Sequence, residues 1–275
     1  MFEVLFLFRE AVLGSALIAL GCSVVGVYVV YRRVVFVSAA LAQLSSAGVA
    51  AALFLASLGL GVGPVESELF MSSLLTLGGV LFFGLEGDSN RVPGDARLGI
   101  AYVLAGAGAI LLVSRVAGGD AHALLLRGNI LGIRSAEAWA LLGVVTAVLG
   151  VHYLFRKEFV FVSYDPEMAA SKGYRVRAWT VLLYLTMGAI IVASIESAGV
   201  LLVFSLLVLP AVTGIHLGRT LGSVTAWSAG SAVAAALVGF AVSVELDLPT
   251  GPAIVATSGV FLSLAWAVAR VVQRK

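Results

Sequence analysis

The sequence predicts an all-α fold, a polytopic transmembrane helical bundle of eight or nine spans. Three observations predict it. The 275 residues are 61% hydrophobic and only 12% charged, where soluble domains carry about 25% charged residues. Mean hydropathy is +1.09. The apolar residues fall in runs of about 18–25, the length that crosses a hydrocarbon core as a helix. The 31 glycines suit close helix packing in lipid. A single cysteine, Cys22, excludes an internal disulfide and a thiolate metal cluster.

Nine candidate spans follow in order, at about 11–31, 34–58, 67–85, 98–117, 137–155, 178–195, 198–217, 223–244 and 251–271. The first is too long for a signal-peptide core and lacks a cleavage site, so it reads as a retained span. The second has room for a kink. The polar loop "EGDSNRVPGDAR" separates the third from the fourth, and "GGDAHALLLRGNILGIRSAE" separates the fourth from the fifth. Spans six and seven join so tightly that a count of eight stays open. Pro210 predicts a bend in the seventh, and Gly214 with Gly218 gives a GxxxG packing signal. No soluble domain and no convincing internal repeat interrupts the series.

Basic residues orient the bundle. With the N-terminus outside, the inner face receives Arg32, Arg33, Arg91, Arg97, Arg156, Lys157, Lys172, Arg175, Arg177, Arg219, Arg270, Arg274 and Lys275. The outer face keeps Arg9, Arg115, Arg127 and Arg134, a bias of 13 to 4. The opening "MFEVLFLFRE" fits an interfacial helix on either side.

The polar island "YDPEMAASKGYRVRAW" then lies on the cytoplasmic face. Asp165 suits an N-cap and Pro166 the first helical position. Met168 and Ala169 supply a small apolar face, and Gly173 suits the end of the helix. The residues alone fit a short surface helix or a solvated loop.

Missing motifs narrow the function. The chain has no GxxxxGK[ST] phosphate loop, no HExxH pair and no GxSxG elbow. His122, His152 and His216 are scattered over different elements and read as packed or interfacial. An enzyme is the weaker class. A transport subunit, an ion-coupled carrier using Glu196 as its proton-linked group, and a membrane scaffold remain as alternatives.

Four stretches carry a resemblance. "DPEMAASKGYRVRAW" resembles the cytoplasmic coupling segment in permease subunits of the zinc-, manganese- and iron-type ABC importers. "SAGVLLVFSLLVLPAVTG", "YRRVVFVSAALAQLSSAGV" and "LDLPTGPAIV" resemble three further regions of that family. The resemblance implies one permease domain over residues 1–275, multi-pass in the plasma membrane. It implies import of a divalent metal (zinc, manganese or iron). It also implies a second permease copy, an extracytoplasmic solute-binding protein and a separate ATPase subunit that binds ATP. No cofactor is expected on this chain; membrane lipid surrounds it, and no nucleic-acid partner is expected. Asp165, Pro166, Glu167, Ala169, Lys172 and Gly173 would couple to the ATPase. Lys172, Arg175 and Arg177 would anchor the segment at anionic headgroups or an acidic ATPase surface.

The chain departs from the family where a metal site is expected. The second span of the family usually carries Asp and His four residues apart, on one helix face; here those positions hold Ala39 and Gln43. Asn129 stands where an Asp is frequent. Glu196, at membrane depth, becomes the main candidate metal ligand, with Gln43 as a second. Ser38, Ser45, Ser46 and Ser194 would add neutral oxygens along a path, or act as polar glue between helices. Three explanations stay open: other ligands, a chelated or organic cargo, or a path that needs no tight site.

Overall fold

The computed structural model describes residues 8–59, 67–85, 93–116 and 130–273. The elements in order are α1 (Arg9–Tyr31), α2 (Val35–Ser57), α3 (Glu68–Leu85), α4 (Gly94–Val113), a 3-10 turn at Ile130–Gly132, α5 (Ser135–Leu154), α6 (Arg156–Tyr164), α7 (Pro166–Ser171), α8 (Val176–Leu217), α9 (Leu221–Glu245) and α10 (Thr250–Gln273). No strand occurs among the described residues. Eight of these helices are long and apolar enough to cross a membrane. The expected second span runs as one helix, Val35–Ser57.

α8 holds 42 residues, about 63 Å of helix against a hydrocarbon core of about 30 Å. It therefore cannot be one straight crossing. Its backbone leaves helical geometry at Gly199, with φ 75° and ψ 162°. Contacts with α1 show what happens there. Ile190 packs at Gly21, and Leu207 packs at Gly26, farther toward the inner end of α1. A straight helix would carry Leu207 about 25 Å outward from Ile190. The chain instead reverses at Gly199, and the arms 176–198 and 200–217 make two crossings, as the tight join of spans six and seven allows. The eight long helices thus make nine crossings, an odd number, which puts the two ends of the bundle on opposite faces. The break at Gly199 is the join of spans six and seven, and Pro210 sits inside the second arm.

α1 and α8 form the buried centre. Ile18, Cys22, Val25, Leu183, Met187, Ile191, Leu202 and Leu206 meet there with almost no exposure. α9 closes one side of this core. Ser228 Oγ donates to the Ser23 carbonyl at 3.0 Å, and Gly214 and Gly218 both approach Val224, as the small-residue pattern predicts. α2, α3 and α4 pack as a second layer, with Ala47, Ala50, Ala105 and Ala109 at their seam.

The inner ends are tied by Arg32, whose Nη2 donates to Thr180 Oγ1. Gly84 at the end of α3 meets Val181 and Tyr184 at the same level. Arg156, Lys157, Lys172, Arg175, Arg177 and Arg219 share that face, in keeping with the charge bias. Arg91, Arg127, Arg274 and Lys275, with His122 and Asn129, lie outside the described residues, as do residues 1–7.

Candidate functional site: an inner hairpin and outer acidic residues

α6 and α7 form a small hairpin on the inner face. Asp165 accepts a 2.8 Å hydrogen bond from the Met168 amide through its Oδ1, and Pro166 opens α7. At the other end the Tyr174 amide donates to the Ala169 carbonyl and the Gly173 amide to that of Ala170, each at 3.0 Å. Gly173 has φ 86°. These two bonds with a left-handed glycine make a Schellman stop. A six-residue helix is too short to stand on propensity; its caps and its packing hold it.

The packing is aromatic. Phe161 meets Tyr174 edge-on at 5.3 Å, which closes the hairpin. Phe155 and Phe159 both pack edge-on against Trp179 in the first turn of α8, at 5.3 and 5.8 Å. Phe159 also stacks on His152 at 4.8 Å and meets Tyr28 at 5.9 Å. The hairpin is thus in aromatic contact with α8, α5 and α1. Ala169 is wholly buried, while Met168 is 52% exposed, so the two expected apolar residues face opposite ways. Glu167, Ala170, Ser171, Lys172 and Gly173 are exposed, next to Tyr164 at 86%. The face left open is mixed in charge and offers Met168 and Tyr164, with the partly exposed Tyr174 beside them.

The other candidate residues are spread in depth. Ser38, near the inner end, donates to the Val35 carbonyl at 2.6 Å. Ser45 shares a 2.6 Å hydrogen bond with Ser72 of α3, so it joins two helices. Ser46 is buried. The Gln43 amide lies against Gly106 of α4, where a β-carbon would stand 3.4 Å from its Oε1. Ala39 is buried. Ser194 Oγ is buried without a partner among the described residues.

Glu196 is exposed, three positions before the Gly199 reversal. It stands about 24 Å of helix from the level of Thr180, which places it at the outer end. Glu68, the first residue of α3, is half-buried and feels the charge of Glu196. Arg134, just before α5, feels it too. The 2.7 Å hydrogen bond from Arg134 Nε to Glu137 Oε1 raises the pKa of this guanidinium; the charge of Glu137 and, more weakly, that of Glu196 add to the effect. Two carboxylates and an ion pair thus ring the outer ends of α3, α5 and α8. Below them, a cleft of about 370 Å³ runs between the same helices, with Ser73 and Thr76 as its polar groups. Sequence reasoning singled out Glu196 but missed Glu68. The signal available was a carboxylate at the outer start of an apolar run. No group of three or more His, Cys, Asp or Glu side chains converges among the described residues.

A bundle of nine crossings among the described residues, with a capped polar hairpin on one face, is the architecture of a polytopic membrane protein. The chain belongs to the ABC 3 transport family, whose model matches residues 4–269. It is thus a multi-pass protein of the cell's inner membrane and a transport subunit by family, not a catalyst. The chain is 26% identical over 262 residues to the manganese transport system membrane protein MntC of Halalkalibacterium halodurans, covering 94% of this chain and 86% of that protein. It is 25% identical to the manganese import system permease protein ScaB of Streptococcus parasanguinis, covering 95% and 90%. Among solved structures, PsaBC from Streptococcus pneumoniae in complex with Fab superposes with a TM-score of 0.81 at 21% identity, over 94% of this chain and 90% of that one. An inward-facing putative metal-chelate type ABC transporter superposes with a TM-score of 0.75 at 13% identity, over 94% and 84%.

Proposed function

We propose that the chain is the permease subunit of an ATP-driven importer of divalent metal, manganese first among the candidates. The observation that carries this reading is the capped hairpin α6–α7, welded by Trp179 to the central helix α8. Family membership and relatives named for manganese transport support it. ATP sits on a separate ATPase subunit, which grips the exposed face around Glu167, Met168 and Lys172. ATP-driven closure moves the hairpin, and the aromatic contacts pass the motion to α8 and α1. Two permease copies pair in the membrane, and a solute-binding protein delivers cargo to the outer face.

At that face Glu196 and Glu68 receive the partly dehydrated cation. Carboxylate oxygens suit manganese. The path inward offers neutral oxygens, Gln43 among them, which hold a cation weakly and so favour release. A second reading, import of a chelated metal, is favoured by Ala39 and Gln43 at the expected ligand positions and by the lack of a three-ligand cluster among the described residues. A chelated ion brings its own ligands and needs fewer from the protein.

Two experiments test this. The double charge reversal Glu167→Lys with Lys172→Glu is expected to lower co-purification of the ATPase by about tenfold or more, while the thermal midpoint of the permease stays put. Both side chains are exposed, and surface changes of this kind usually move stability by less than about 0.5 kcal/mol. Unchanged co-purification and uptake would refute the docking face. For cargo, the complete complex in liposomes is compared for uptake of manganese, zinc and iron. Glu196→Gln is expected to reduce manganese uptake by about tenfold, since a neutral amide oxygen replaces the carboxylate that suits manganese. Gln43→Ala is expected to have a smaller effect. Uptake by Glu196→Gln at the wild-type rate sinks the ligand role, and uptake by the permease without any ATPase sinks the ATP-driven reading.

A further inference from the structure

We propose that the cleft between α1, α5 and α9 at the cytoplasmic end binds a phospholipid with an anionic headgroup. The cleft holds about 460 Å³, within the range of about 300–1,000 Å³ usual for small-molecule sites. Its depth and its chemistry both fit a lipid lying upright at the inner leaflet. Leu221 and Gly222 mark its mouth at the inner start of α9, and Ala229 lies about 12 Å of helix farther into the membrane. That inner stretch is walled by Val24, Leu149, Ala226 and Ala229, which suits an acyl chain and leaves a soluble anion nothing to bond.

The mouth is basic and rich in hydroxyls. Arg156 lines it and lies 6.0 Å from the ring centroid of Tyr153, which faces the same cleft. Arg219 precedes α9 by two positions, outside the lining, so Arg156 is the cation of the cleft. A smaller neighbouring cleft of about 190 Å³ shares Tyr28 and Leu221 with this one, and Ser163 lines it. The Ser163 Oγ is buried with no partner among the described residues.

His152 also lines the main cleft, and its chemistry decides which group selects the headgroup. The Thr186 hydroxyl donates its one proton to the Leu183 carbonyl at 2.8 Å. The 3.0 Å contact between His152 Nε2 and Thr186 Oγ1 must then be donated by the imidazole. Nδ1 is left as a bare acceptor, buried and unpartnered. His152 therefore offers a phosphate nothing, and selection for negative charge falls on Arg156. The inner leaflet supplies anionic lipid and attracts basic groups at its surface.

The inference is independent of the cargo, so its test is separate. The full chain, purified in mild detergent, is titrated with phosphatidylglycerol and with phosphatidylcholine, and bound lipid is counted by native mass spectrometry. Wild type is expected to retain phosphatidylglycerol about fivefold better. Arg156→Gln is expected to bring that preference near unity. Ala226→Phe, which fills the acyl wall, is expected to lose both lipids, and Ala229→Leu serves where the larger ring prevents folding. Leu111→Phe, on the exposed face of α4, is expected to change nothing. Equal retention of the two lipids by wild type, or undiminished retention in a folded wall variant, overturns the proposal. Displacement of phosphatidylglycerol by excess inorganic phosphate overturns it in favour of a free anion.

Discussion

Gly26→Val is expected to leave little or no folded protein. A β-carbon on Gly26 would run into the carbonyl oxygen of Leu207, with the Leu207 carbonyl carbon 2.7 Å and its α-carbon 3.1 Å away. These are backbone atoms of a buried helix, so no rotamer change relieves the clash. α1 would have to move off the second arm of α8. That separation would open the seam where Val27, Ala211 and Val224 pack and would strain the bond from Ser228 to Ser23. Overpacking a core costs about 1–3 kcal/mol when side chains can adjust; here the cost exceeds that range. In lipid no solvent-driven collapse compensates, because helix association rests on close van der Waals contact. The measurement is the yield of monodisperse protein and its thermal midpoint in detergent. Gly143→Val and Gly150→Val are the controls, since a β-carbon at either position meets nothing within 4 Å. A folded Gly26→Val variant with the midpoint of its controls would show that α1 and α8 are not in contact at this point.

The same contrast explains what could be read in the chain. The spans were legible because composition alone sets them: no fold in water hides so many apolar residues. The caps of α7 were legible because their signals are local, whereas α6 and the Phe161–Tyr174 contact that makes a hairpin were not. Asp165, Pro166 and Gly173 lie within one short stretch, and each acts on a backbone group only a few residues away. Glu68 was not legible as a neighbour of Glu196, because α3 and α8 are far apart in sequence and only the packed bundle brings their outer ends together. Gln43 shows the same limit: its spacing from Ala39 gives a helix face, but not that Gly106 of α4 lies opposite. Pro210 lies inside the second arm, where a membrane helix can absorb the loss of one hydrogen bond; the φ and ψ of Gly199, by contrast, leave the helix altogether, at the join of spans six and seven.

Gly199→Ala is therefore expected to be the second severe change. With φ 75° and ψ 162°, position 199 lies in a region that is essentially closed to any residue with a β-carbon, at a cost of about 1–3 kcal/mol. The residue cannot escape by relaxing into helix. A continuous α8 would drive residues 200–217 out of the bilayer and pull Leu207 away from Gly26. The strain must stay at the reversal, and the thermal midpoint is expected to fall by about 3–10 °C, taking about 2–4 °C per kcal/mol for a chain of this size. Gly78→Ala, where the added carbon meets nothing within 4 Å, is expected to change little. The reversal also sets the position of Glu196, three residues earlier, within electrostatic reach of Glu68 and Arg134. Cation uptake in Gly199→Ala should thus fall at temperatures well below its midpoint, whereas a purely structural role would spare uptake until the protein begins to unfold. Uptake and midpoint both matching those of Gly78→Ala would mean that the two arms of α8 do not turn on this residue.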